Sequence, residues 1–476
     1  MTVQLPEAQG PPTGATKGEA WEPRLVALVC NWCTYAGADM AGTARRAYSS
    51  SVRIVRLPCT GRIDPLFIVK AFEQGADAVL VSGCHPGDCH YVQGNLLARR
   101  RLTVFAALMD FLGLDRRRLH FAWVSASEGV KWSRIVDEAT EAVRGAGPLG
   151  EWAAPAGNGS LASFVLPDPE PAPRAPPPPE ESERVAAHLR QTAATLLAQG
   201  EVSLVVGYAP GSLPGQMVPA FATRPEDAAT LAWNECCGTN LAVYLPEALR
   251  RKDGGKVGLV VKSCDAKAVV GLLLESQLAR EDVVLLGVPC TGLWHEGRLA
   301  PKCYACAEEV SPLADWTITP EGAQPGPAAS AGERALAPDP RDAQISALES
   351  LTSEARWEYW QRQFARCLRC YACRAVCPLC YCATCVAEKH RPQWIPITFG
   401  GPGNTAWNVA RAMHLAGRCV GCDECVRVCP ADIRLDLLNR LLAREIESRF
   451  GYEGDDPSGP PPLTTFRPDD PGEEFL

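Results

Sequence analysis

The chain holds 476 residues, 46% hydrophobic and 21% charged, which is the composition of a folded protein and the length of about three domains. A formal net charge of −8 speaks against general nucleic-acid binding, which needs an excess of Lys and Arg to neutralise phosphates. No apolar run reaches the ~18–20 residues of a membrane helix, and the polar, Gly/Pro-rich residues 1–22 read as a flexible N-terminus without a secretory signal.

The composition is set apart by 22 Cys. Lack of an export signal leads to the expectation of a cytoplasmic location, and in a reducing compartment grouped thiols point to metal rather than to disulfides. Residues 145–183 and 319–345, crowded with Pro, Ala and Gly, read as linkers, and residues 451–476 as an acidic, Pro-rich tail. The cysteines fall as 5, 6 and 11 into the remaining segments, 23–144, 184–318 and 346–450. The expected fold class is multidomain α/β: an N-terminal parallel-sheet α/β domain, a middle α/β domain and a mostly helical, cysteine-dense C-terminal domain.

In the first segment Arg24–Val29 reads as a strand, Asp39–Tyr48 as a helix, Val52–Leu57 as a strand, Asp64–Gln74 as a helix and Ala78–Ser82 as a buried strand. Cys30 with Cys33, then Cys59, then Cys84 with Cys89 follow the three strands. Loops beyond the C-terminal ends of parallel strands converge on one sheet edge, so thiols remote in sequence can meet there. Two basic runs, Arg99–Arg101 and Arg116–Arg118, read as solvated helix ends or a protein-docking face. The G-x-G-x-x-G match at Gly145–Gly150 lacks a preceding strand and is no dinucleotide fingerprint.

The phrases CNWCTYAGADMAG, VRLPCTGRIDP and GADAVLVSGCHPGDCHY, in that order, closely resemble the delta subunit of methyl-viologen-reducing hydrogenase. That resemblance implies a 2Fe–2S cluster and a relay of electrons between a hydrogenase or formate dehydrogenase and the flavin subunit of heterodisulfide reductase. Carried over by position, the candidate ligands are Cys30, Cys33, Cys59, Cys84 and Cys89, one thiol more than such a cluster needs. Relatives tend to have a further Cys just before the one matching Cys30, where this chain has Val29. His85 and His90 flank these thiols and are expected to hydrogen-bond to sulfur or solvent.

In the middle segment Ser203–Tyr208, Val257–Val261 and Val283–Val288 read as strands and Ala266–Leu278 as a helix. Cys264, Cys290, Cys303 and Cys306 form one candidate 4Fe–4S set, with Cys237, beside Cys236, as an equal competitor. Zinc, unmetallated thiols or a CxxC redox pair are the alternatives. Lys262 and Lys267 beside Cys264 could lower its pKa or contact an anionic cofactor, but are expected to be exposed. The phrases NECCGTN, VKSCDAKAV, GVPCTG and KCYAC look similar to the beta subunits of deazaflavin-reducing hydrogenases and formate dehydrogenases. The beta subunits of that family also bind flavin.

The last segment repeats C-x2-C-x2-C-x3-C-P, at Cys367, Cys370, Cys373 and Cys377 and again at Cys419, Cys422, Cys425 and Cys429. Three thiolates two residues apart wrap three corners of one cubane, and the fourth reaches the other cluster. The expected 4Fe–4S sets are therefore Cys367, Cys370, Cys373 with Cys429, and Cys419, Cys422, Cys425 with Cys377, which makes the mostly helical C-terminal domain dicluster ferredoxin-like. Cys380, Cys382 and Cys385 stay unassigned unless His390 or another residue joins them, and Gly400, Gly401 and Gly403 form a turn of weak significance. The expected function is electron transfer without a substrate site of its own, between a hydrogenase or formate dehydrogenase type partner and a heterodisulfide-reductase-like flavin subunit. The alternative is a catalytic flavin or deazaflavin oxidoreductase with its site in the middle domain.

Overall fold

The computed structural model describes residues 21–150, 152, 161, 164–251, 255–327, 335–397, 400–452 and 459–470. Most of the expected flexible N-terminus, and parts of both expected linkers and of the tail, lie outside the described residues.

Strands and helices alternate at the N-terminus: β1 (Leu25–Cys30), α1 (Thr34–Thr43), β2 (Val52–Leu57), α2 (Pro65–Glu73), β3 (Ala78–Gly83), α3 (Gly94–Leu112), β4 (Leu119–Trp123) and α4 (Gly129–Ala146). The four strands form one parallel sheet in the order β2-β1-β3-β4. β1 and β3 are almost wholly buried, as parallel strands covered on both faces must be. From β1 the chain crosses to β2 on one side, and from β2 to β3 on the other. The crevice for a ligand therefore lies beyond the C-terminal ends of β1 and β3.

Helix α1 starts earlier than the apolar pattern suggested, because its buried face is made of Gly37, Ala38 and Ala41 rather than large side chains. A Cβ on Gly37 would stand 2.7 Å from Ser125 O, and one on Gly129 would stand 2.8 Å from Ala41 N. Small residues thus let α1 cross α4 closely. Arg45, at φ 53°, terminates the turn after the helix.

The middle unit comprises α5 (Pro179–Ala198), β5 (Val202–Pro210), β6 (Met217–Ala222), α6 (Leu245–Arg251), β7 (Lys256–Val261), α7 (Ser263–Leu274), β8 (Val283–Gly287), a ribbon of β9 (Trp294–His295) and β10 (Arg298–Leu299), then β11 (Trp316–Thr319) and β12 (Gly322–Pro325). Its sheet runs β12-β11-β8-β7-β5-β6, parallel except for the antiparallel edges β6 and β12. The segment expected as a linker from residue 319 therefore begins with a paired edge strand. α7 begins at Ser263 rather than at Ala266, because Asp265 caps it by accepting the Lys262 N–H at 3.2 Å. Ser276, at φ 54°, stands just beyond its end.

The C-terminal helices are α8 (Pro340–Glu349), α9 (Ser353–Ala365), α10 (Ala372–Ala375), α11 (Gly401–Leu415), α12 (Glu424–Arg427) and α13 (Leu435–Phe450). They do not stand apart. Phe105, Leu108 and Met109 of α3 share one continuous core with Trp360, Trp407, Leu438 and Leu441. The N-terminal domain is continuous with them: α3 is buried against α9 and α13, and α2 against α11. On the other side Leu379 and Leu415 enter the core of the middle sheet. The tail returns to α3, where Asp470 receives hydrogen bonds from Arg100 at 2.5 and 2.7 Å. Arg99 and Arg100 are accordingly buried, not solvated.

Candidate metal centres

Five thiols meet at the crevice of the N-terminal sheet. Cys30, Cys59, Cys84 and Cys89 are buried together with Cys33 packed against them, and Cys30 Sγ lies 3.6 Å from Cys84 Sγ. The early start of α1 aims its first N–H groups at this point: Cys33 and Thr34 N–H both donate to Cys30 Sγ at 3.4 Å. The hydrogen bond with Cys84, aided by these N–H groups, lowers the Cys30 pKa and raises that of Cys84. Gly61 N–H donates to Cys59 Sγ at 3.4 Å, and a Cβ at Gly94 would collide with that sulfur. Gly94 is therefore part of the cradle, though nothing in the sequence marked it. The flanking histidines engage other groups: His85 Nε2 pairs with Glu128 Oε2 at 2.7 Å, and His90 stacks on Trp32 with ring centroids 3.7 Å apart.

The two C-terminal runs fold alike. The residue before the second Cys and the residue after it both have positive φ: Arg369 at 46° and Tyr371 at 59°, then Gly421 at 64° and Asp423 at 55°. Three of the four are non-Gly residues in a sparsely populated conformation, held by their surroundings. Tyr371 stands edge-on to Trp407, Arg369 donates to the Pro396 and Ile397 carbonyls, and Asp423 is gripped by Arg341 at 2.7 and 2.8 Å. Cys429 interacts electrostatically with Cys367 and Cys373, and Cys377 with Cys419 and Cys422, so the fourth Cys of each run lies near two of the first three of the other. Cys380 hydrogen-bonds to Cys377, whereas Cys382 is exposed.

In the middle unit Cys264, in the first turn of α7, and Cys290, beyond β8, line a cavity of about 480 Å³ with Cys303 and Cys306. Cys419 of the second run opens onto the same cavity. Burial pushes Cys264 up to about 11 and Cys290 up to about 12. Cys237 does not line this cavity; it is fully buried beside Asn234, whose N–H it accepts at 3.4 Å. Lys262, expected to be exposed, is instead buried, with its Nζ 2.7 Å from Asp265 Oδ2 and hydrogen-bonded to Tyr208.

Among the described residues, no three His, Cys, Asp or Glu side chains converge closely enough to hold one metal ion. A cubane is wider, since each thiolate binds a separate iron. Orphaned buried polar atoms gather beside the thiols: Ser263 Oγ, Thr291 Oγ1 and, on α11, Arg411 Nε. Hydroxyl and guanidinium donors suit inorganic sulfide, so the residues present fit iron–sulfur clusters. Arg411 could have been noticed in the sequence as a charge on the apolar face of its helix.

An α/β domain with thiols at its strand-order reversal, joined to a doubly repeated four-Cys unit, defines the class. The family profile described as methyl-viologen-reducing hydrogenase, delta subunit, matches residues 25–147. Among curated proteins, the iron-sulfur subunit of the F420-non-reducing hydrogenase vhc of Methanococcus voltae is 48% identical over 130 residues, 27% of this chain and 90% of that protein. The corresponding F420-non-reducing hydrogenase iron-sulfur protein of Archaeoglobus profundus is 48% identical over 131 residues, 28% of this chain and 96% of its own. One component of the ferredoxin/F(420)H(2)-dependent CoB-CoM heterodisulfide reductase of Methanosarcina acetivorans is 39% identical over 136 residues, 29% of this chain but 17% of that protein. The chain belongs, through its N-terminal domain, to the methyl-viologen-reducing hydrogenase delta subunit family. A chain of the F420-reducing [NiFe] hydrogenase complex from Methanosarcina barkeri aligns with 39% of this one and 88% of its own at 13% identity, but its TM-score of 0.24 carries no argument. No described helix is long and apolar enough to cross a membrane.

Proposed function

We propose that the chain is an iron–sulfur electron-transfer subunit. Cys367, Cys370, Cys373 and Cys429 would hold one 4Fe–4S cluster, and Cys419, Cys422, Cys425 and Cys377 a second. Cys264, Cys290, Cys303 and Cys306 would hold a third, and four of the five N-terminal thiols a 2Fe–2S cluster. Such clusters, when bound, accept and give up single electrons. The protein's own part is to bury the thiols, aim N–H groups at their sulfurs and keep cations close to them.

The observation that supports this reading is the shared backbone of the two runs, with Cys429 near Cys367 and Cys373 and Cys377 near Cys419 and Cys422. The names of the relatives support a hydrogenase on one side and a heterodisulfide reductase on the other; a formate dehydrogenase type protein in the first place, and a flavin protein as the contact in the second, are proposed beyond those names. Iron and acid-labile sulfide quantification on anaerobically purified protein, with electron paramagnetic resonance, tests the proposal. Zinc in place of iron would end it. Stoichiometric flavin together with turnover by the isolated chain would instead favour a catalytic role for the middle unit.

A further inference from the structure

Two cations stand at the junctions between the thiol groups. Arg411 is 4% exposed; its Nη2 donates to Cys373 O at 3.0 Å, its Nε has no hydrogen-bond partner, and no carboxylate pairs with it among the described residues. Its electrostatic neighbours are Cys373 of the first run, Cys377 and Cys425 of the second-run site, and Cys380. Lys302 lines the thiol cavity, donates to Cys422 O and makes no ion pair among the described residues. Its neighbours are Cys264 and Cys303 on one side and Cys422 and Asp423 on the other.

A buried cation without a counter-charge is strongly unfavourable, and a single carbonyl contact does not offset it. Arg341 is the contrasting case in the same unit: it is as buried as Arg411 but gripped by Asp339 and Asp423. Arg411 has only thiols as electrostatic neighbours, so its counter-charge must come from sulfur; half-buried Lys302 has Asp423 beside it in addition to three thiols, and each cation faces two thiol groups.

We infer that Arg411 and Lys302 are electrostatic bridges that order three cluster sites as first run, second run, middle unit, each raising the reduction potential of the two sites it separates. The inference rests on the cluster reading above. An added electron makes a cluster site more negative, and a fixed cation in a low-dielectric interior stabilises that reduced state. The second-run site, which faces both cations, is stabilised by each. Both residues act through the thiol groups they face and touch no substrate; they are positioning residues.

The test is a redox titration followed by electron paramagnetic resonance on full-length, anaerobically purified protein, with signals assigned by Cys370→Ser, Cys422→Ser and Cys306→Ser. Arg411→Gln should lower the midpoints of the first- and second-run sites by at least a tenfold change in the reduction equilibrium, about 59 mV for one electron. Lys302→Gln should lower those of the second-run and middle sites instead, leaving the first-run site unchanged. Arg411→Lys and Lys302→Arg should restore wild-type midpoints, and the N-terminal signal is the internal control. Iron loss confined to the two flanking sites, and rescued by the charge-keeping variant, would equally support the bridges. Unchanged midpoints in the Gln variants, equal shifts in the charge-keeping ones, or loss spread over all sites would overturn them. Wild-type protein without iron would sink the cluster reading itself, a distinguishable failure.

Discussion

Cys370 and Cys422 each sit between two residues of positive φ, a conformation that costs of order 1–3 kcal/mol for a non-Gly residue and persists only where its surroundings impose it. The same strained turn recurs after the second Cys of both runs, at Tyr371 and Asp423, as the proposed ligand role of the two loops expects. Replacing Cys422 by Ser should reduce the iron content of the second-run site and spare the N-terminal one, because serine oxygen is a poor ligand for iron–sulfur iron. Full iron content in that variant would refute the assignment. Gly94→Ala makes a matching prediction for the other end of the molecule. Its Cβ collides with Cys59 Sγ, so the visible and paramagnetic signals of the N-terminal site should change alone, with about 1–3 kcal/mol lost to overpacking. A spectrum unaltered in that variant would show that Cys59 is not part of the site.

Among the elements, the tail is tied down by one buried pair. Arg100 and Asp470 have side chains only 4% and 3% exposed, and removing one partner of such a pair leaves the other charge uncompensated. Asp470→Asn should therefore raise amide exchange in residues 459–470 while leaving the sheets protected. Burial pushes the Asp470 carboxyl up, but the hydrogen bonds and charge of Arg100 and Arg99 outweigh it and hold the pKa below the usual carboxylate range. A depressed carboxylate contributes stability above its unfolded pKa and loses it as pH falls through the folded one, so the tail should stay docked at neutral pH and loosen only in strong acid. Tail exchange that rose already near pH 6 would contradict this. Strands β1, β2, β3, β5, β7 and β8 were legible to within a residue or two, since runs such as VLVSG and KVGLVV are short, rich in β-branched residues and too brief for a buried helix. The starts of α1 and α7 were not: one is built of Gly and Ala, and the other is set by an Asp cap inside the first turn.

At the scale of the whole molecule, the C-terminal helices are a wedge between two cores. The first-run thiols Cys367 and Cys373 pack with Tyr371 against the core shared with α3, and Cys377 and Cys419 pack against the core of the middle sheet. Metal binding and folding are coupled in cysteine-rich units. Removing iron with a chelator should therefore increase hydrogen exchange in α9, α11 and α13 and also in α3, while β5, β7 and β8 keep their protection. Exchange confined to the C-terminal unit would mean that the shared core does not couple the two. Phe105→Ala should likewise lower the melting temperature of N-terminal and C-terminal signals together, at about 3–5 kcal/mol. The amino-acid sequence by itself determined the proposed metal chemistry, because thiol spacing on a short loop decides which sulfurs can share a cubane. It also determined the parallel sheet of the N-terminal domain, because continuous apolar runs such as those of β1 and β3 must be covered on both faces. Only the tertiary structure decided that Cys264, Cys290, Cys303 and Cys306 line one cavity without Cys237, that Lys262 is buried, and that Arg411 and Lys302 lie between thiol groups. Each of these depends on contacts between residues far apart in the chain, where local periodicity and spacing carry no information.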